Sequence, residues 1–177
     1  MNQKPLETII RAELLAAMAT LTPPLDLPVI LGNQSTGQGR VNGVYFFRMA
    51  DGMRGWQSRR YQETAQGLNV TESQWVETQY QFQALVKNDP LDPDQLLASD
   101  VVQIVRSLLG GVNMAERLHS LGVGVQRPSP VLTPWFVNEQ NQYDSNPSFT
   151  LIFSHRRELS LPVNYAETVT GVKIVSL

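Results

Sequence analysis

Cysteine is absent from this 177-residue chain, which excludes a disulfide framework, a thiolate nucleophile and a zinc site built on thiolates. Charge is scarce as well: Asp, Glu, Lys and Arg make up 17% of the residues, against about 25% in an average globular protein. Gln and Asn fill the gap with 15 and 10 copies, so much of the surface is polar but neutral. Such a surface desolvates cheaply, and depletion of charge marks the middle of a protein interface. A net charge of -2 argues against a general polyanion binder that works by counterion release. Long hydrophobic runs are missing too, and Arg11 and Glu13 break the first apolar stretch. Neither a secretory leader nor a membrane span is expected, and the chain reads as a soluble protein used without secretion.

What is present suffices for one domain over residues 1–177, with 42% hydrophobic residues and no linker or internal repeat. Leu6, Ile9, Ile10, Leu14, Ala17, Met18 and Leu21 recur at spacings of three and four, predicting an amphipathic helix over 4–21 that Pro23 and Pro24 stop. A short strand over 28–31 follows. Residues 32–40 hold three Gly and no apolar residue, predicting a flexible loop that orders only against a neighbour. It is no phosphate loop, because no Lys-Ser/Thr pair and no helix pattern follow.

Residues 41–47 and 53–64 read as a hairpin turning at Ala50-Asp51-Gly52. Residues 75–86 form the clearest strand: Val76, Thr78, Tyr80, Phe82 and Ala84 alternate with Glu77, Gln79, Gln81 and Gln83, a core face backed by an amide ladder. A helix over 99–109, capped by Ser99 or Asp100, carries apolar residues around most of its circumference and should be deeply buried. A shorter helix over 113–121 follows, with Asn113 as cap and Gly122 as stop. Strands are expected at 122–126, 131–137, 148–155 and 168–175, with a turn at 143–147. Runs of strands separated from runs of helices indicate an α+β fold, an antiparallel β-sheet packed against helices. Val76, Tyr80, Phe82, Ile104, Val105, Leu108, Phe149 and Leu151 should form its centre.

Catalytic patterns do not emerge. His119 and His155 lack metal-ligand spacing and read as solvent-facing or structural residues. Asp89, Asp92 and Asp94 alternate as in a calcium loop, but Pro90 and Pro93 interrupt them and the glycine and final glutamate of such a loop are missing. There is no Gly-x-Ser-x-Gly elbow. The expectation is therefore a protein that is not an enzyme and holds no cofactor or metal.

Arginine does stand out, with 11 copies against 3 of lysine. Arg54, Arg59 and Arg60 are interleaved with Trp56 and Tyr61 on the expected hairpin, and Arg156 and Arg157 follow a strand end. Arg and aromatic residues are preferred anchors of protein interfaces. Arg54, Trp56, Arg59, Arg60, Arg156 and Arg157 are therefore the candidate interface residues. The same types also serve nucleic acid, where cations hold phosphates and rings stack on bases. A nucleic-acid-binding module would need these arginines on one exposed surface, and a small hydrolase or transferase would need a deep pocket around His119 or His155.

The opening helix, the aromatic segments 41–47 and 56–61, the strand Trp-Val-Glu-Thr-Gln-Tyr-Gln-Phe-Gln from Trp75, the helix 99–109 and the late stretch Tyr-Asp-Ser-Asn-Pro-Ser-Phe-Thr-Leu-Ile-Phe-Ser from Tyr143 together give the chain its texture. In their order it resembles the tail terminator and neck family of tailed bacteriophages. That resemblance implies an α+β subunit of a homo-oligomeric ring, usually a hexamer. Such a ring caps the tail tube at its head-proximal end and joins tail to head. Implied partners are the tail tube protein and the head–tail connector or other neck proteins, with DNA passing transiently through the lumen and no membrane involved. The implied location is the neck of the virion, after assembly in the host cytoplasm. A head-completion or collar protein of the neck fits the same resemblance.

Overall fold

The computed structural model describes residues 3–32, 41–64, 67–87, 91, 94–137 and 143–163. Most of the expected loop 32–40, most of the acidic turn 89–94 and the expected strand 168–175 lie outside them. The chain opens with α1 (Gln3–Ala19), then β1 (Val29–Leu31), β2 (Gly43–Thr64) and β3 (Gly67–Leu85). Two helices follow, α2 (Ala98–Leu109) and α3 (Val112–Ser120). The last part is β4 (Val123–Val125), β5 (Trp135–Val137), β6 (Tyr143–Ser145) and β7 (Ser148–Val163). The fold is α+β and comprises, among the described residues, a five-stranded sheet of order β1-β2-β3-β7-β4, three helices, and a separate β5-β6 ribbon. The sheet is antiparallel except where β1 runs parallel to β2.

The core forms where helical stripes meet the alternating face of β3. On α1, Leu6, Ile10, Leu14 and Met18 recur every four residues and all are buried, giving one continuous stripe. Opposite them lie Val76, Thr78, Tyr80, Phe82 and Ala84 of β3, flanked by Phe46 of β2 and Phe149, Leu151 and Phe153 of β7. Rings from three neighbouring strands stack here, Phe82 lying 5.8 Å from Phe46 and 5.2 Å from Phe149. The Glu13 carboxylate of α1 lies 2.7 Å from the Arg117 guanidinium of α3, an ion pair that ties two helices together.

Several expectations are corrected. No turn occurs at Ala50-Asp51-Gly52, because β2 runs unbroken for 22 residues and its hairpin partner is β3. The turn-type residues accommodate a bulge there: Met49 is extra between the pairs Arg48–Tyr80 and Ala50–Gln79, and Arg48 forms an ion pair with Asp51 across it. The α2 helix buries one stripe, Val101, Val102, Val105 and Leu109, while Ile104 and Leu108 are half-buried. Its polar Gln103 and Ser107 face outward and set the helix rotation. Leu109→Ala is therefore expected to cost about 2–5 kcal/mol, and Ile104→Ala clearly less. Urea unfolding of both variants checks the order; a larger loss for Ile104→Ala would contradict this packing.

Caps differ as well. Ser99 and Asp100 lie within the first turn of α2, where the Asp100 carboxylate accepts from the Leu97 N–H at 3.1 Å. Gly111 rather than Asn113 precedes α3. Gly122 ends that helix region with φ +77, a conformation glycine adopts without strain. Within 131–137 only β5 is a strand, Leu132 making a single bridge to Ser148, and 143–145 is strand β6 instead of a turn.

Candidate functional site

Three strands of the sheet outrun the helices. In β2 all residues from 49 to 63 are exposed, and β3 and β7 continue beside them to their ends at Gly67 and Val163. Residues 50–64 alone span about 50 Å of extended chain. The result is a three-stranded arm joined to the helix-covered body.

A second bulge shapes the arm. Residues 55–57 of β2 face the single residue Gln74 of β3, and Gly55 adopts φ +71. The Gln74 amide donates to the Gly55 carbonyl at 3.2 Å and the Gln57 amide to Glu72 at 2.6 Å, holding the bulge from both ends. Trp56, between them, is 99% exposed. An indole presented wholly to water by a fixed backbone loses little conformational freedom when it is covered.

The arm carries all six candidate residues but divides them. Cross-strand register puts Arg54, Trp75 and Arg156 in one row, and Arg60, Thr71 and Ser160 in a second row on the same face. Arg59, Glu72 and Leu159 form a row on the other face, where Arg157 sits beside Gln74. Charge is mostly balanced locally. Arg54 donates to Glu77 at 2.9 Å, Arg59 to Glu72 at 2.8 Å, and Arg156 lies 3.2 Å from Glu158 while donating to Ser73 at 2.8 Å. These pairs are largely solvated, so each is worth ~0–1 kcal/mol. They fix side-chain geometry more than they stabilise the fold.

Residues that the sequence pattern left unremarked complete the arm. Met53, Tyr61, Leu159 and Leu161 are exposed on the face that carries Arg59, around a buried Val70 whose cross-strand neighbours are Tyr61 and Leu161. The signal was the alternation of Leu159, Leu161 and Val163, which extends β7 eight residues past His155.

At the base of the arm a small cleft is lined by Leu6, Arg48, Asp51, Thr78, Tyr80, His155 and Arg157. His155 is buried and its Nε2 lies 3.2 Å from the Thr78 hydroxyl, whereas His119 is exposed on α3. The two histidines are in separate places. Among the described residues no group of three or more His, Cys, Asp or Glu could hold a metal ion, and no helix is long and apolar enough to cross a membrane.

The Tyr80 hydroxyl donates to Glu7 at 3.4 Å, and burial, then the Glu7 carboxylate, pushes its pKa above the ordinary 10.0. The folded state thus holds this proton more tightly than the unfolded chain does. Its stabilisation is complete below pH 10.0 and is lost as pH rises beyond it. Tyr80→Phe should flatten the alkaline loss of stability in denaturant titrations above pH 10.0. An unchanged slope would contradict it.

The family model described as E217 gateway protein gp29 matches residues 5–165, nearly the whole body and the whole arm. No curated protein matches the chain.

Proposed function

Because the chain belongs to the family of the E217 gateway protein gp29, a phage head–tail gateway family, we propose that it forms a ring in the neck that closes the head-proximal end of the tail tube. The coarser role follows from membership: this is a structural phage neck protein of the head–tail junction, and its partners are other head and tail proteins. The finer reading adds a ring, sixfold as the resemblance to tail terminators implies, with the tail tube protein on one face and the head–tail connector on the other. DNA crosses its lumen during ejection.

The observation that carries this reading is the arm. A monomer gains nothing from a three-stranded extension with both faces in water, since so thin a sheet buries little of its own surface. A protein that must hold neighbours gains a long surface with an aromatic anchor and geometrically fixed arginines. Depletion of charge elsewhere fits the same use, because neutral amides such as Gln79, Gln81 and Gln83 desolvate at small cost.

The test is the mass of the purified chain in solution, alone and with tail tubes, followed by electron microscopy. Rings with an open centre, seated at one end of each tube, are the expected result. A chain that stays monomeric even with tubes present would overturn the ring and the capping role together.

A further inference from the structure

Among the described residues, two backbone edges of the arm carry no strand. β1 pairs with β2 only at residues 44–46, with two further bonds, from the Gly32 N–H to the Phe46 carbonyl and from the Val44 N–H to the Pro28 carbonyl. β4 pairs with β7 only at residues 153–155. Beyond these points, among the described residues, the outer edges of β2 over 48–64 and of β7 over 156–163 face away from any strand.

Open edges are templates for pairing, and proteins that stay monomeric guard them with charge, above all lysine, with proline, with bulges or with a covering element. β2 contains neither lysine nor proline in its 22 residues, both of its bulges lie before Ser58 so that 58–64 pairs regularly, and β7 holds a proline only at Pro162, one residue from its end. Next to these edges lies the exposed apolar row of Tyr61, Leu159 and Leu161.

The geometry points to edge-to-edge pairing between successive copies of this chain: β7 of one copy adds to β2 of the next, in parallel, and the arm sheets run on around the ring. This rests on the ring proposed above and supplies its joint. The direction follows from topology. β3 is antiparallel to both β2 and β7, so these two run the same way, from body to tip. Rotation about an axis along the arms preserves strand direction, so a closed ring can join β7 to a neighbouring β2 only as a parallel pair. A two-fold dimer would instead pair like edges, antiparallel.

The level of each residue is set by β3, which places Ser58 level with Glu158, Arg60 with Ser160 and Tyr61 with Leu161. An unstaggered junction therefore brings one copy's Arg60 diagonal to the next copy's Glu158 on one face, and Tyr61 beside Leu161 on the other. Opposite charges and apolar side chains thus meet like with fitting partner across the seam. Arg60 has no acidic partner within the described residues, whereas Arg54 and Arg59 have theirs.

Absence of native cysteine makes the test clean. Arg60→Cys and Ser160→Cys are placed in the same chain, with Glu158→Cys and Pro162→Cys as alternatives to Ser160→Cys that catch a shift of two residues. Within one chain β2 and β7 are two strand spacings apart, about 9–10 Å, beyond the ~7 Å that a disulfide spans. Mild oxidation of the full chain should give a ladder of covalent oligomers ending at the ring number, reversed by thiol and absent from each single variant. Rings seen by microscopy with no ladder from any of the pairs would overturn the strand joint while leaving the ring. Covalent dimers from Arg60→Cys alone would overturn it in favour of a two-fold β2 contact. A disulfide within one chain between Ser160→Cys and Gly171→Cys, without the ladder, would give the β7 edge to the chain's own last residues and overturn it too. A monomer in every condition would remove the ring and its joint at once.

Discussion

Phe82→Ala should lower the unfolding free energy by about 3–5 kcal/mol, the largest loss expected from any single truncation in the body. Phe82 is fully buried on the central strand and stacks between Phe46 and Phe149, so its ring joins β2, β3 and β7 into one packed layer. Removing it opens a cavity whose walls are other rings, and rings on rigid strands collapse poorly into space. The denaturant midpoint should fall with little change in the slope. A midpoint equal to that of the parent would show that these three strands do not share one core.

The second large effect concerns assembly and leaves the subunit intact. Trp56→Ala combined with Arg59→Ala should give a chain with parental circular dichroism and unfolding midpoint, because Trp56 touches water on nearly all sides and the Arg59–Glu72 pair is largely solvated. Assembly should weaken steeply. An aromatic or arginine anchor at the centre of an interface is worth ~2 kcal/mol or more, so two together weaken association by roughly a thousandfold if their contributions add. Sedimentation should show monomers where the parent forms rings, and particles made with the variant should carry unjoined or overlong tails. Normal rings and normal tails would show that the arm anchors nothing through these residues.

The body was legible in the sequence because its elements obey simple periods. The four-residue spacing of Leu6, Ile10, Leu14 and Met18 and the alternation from Val76 to Ala84 correspond directly to buried faces. The arm was harder to read. Its strands are exposed on both faces, so 49–63 shows no hydrophobic alternation, and Ala50-Asp51-Gly52 imitates a turn where the backbone bulges. The single extra residue at Met49 shifts parity, whereas the bulge at Gly55 adds two residues and keeps it, so Arg54 and Arg60 share one face and the adjacent Arg59 takes the other. Arginine clustering still located the region, because side-chain type survives where periodicity fails. Which arginines of β2 share a face with those of β7 depends on register, which only pairing with β3 reveals.

Ile104 shows the converse limit. A helix with apolar residues on most of its circumference does not announce which stripe is buried, and Val101, Val102, Val105 and Leu109 take that place because α2 meets the sheet and α1 from one side only.

A role at the head–tail junction is tested most directly by counting particles made by a phage that lacks this chain and adding the purified protein back. Filled heads and completed tube segments should accumulate apart in electron micrographs, and the parent chain should join them in the extract while the Trp56/Arg59 double variant does not. Joined, infectious particles formed in the absence of the chain would contradict the role.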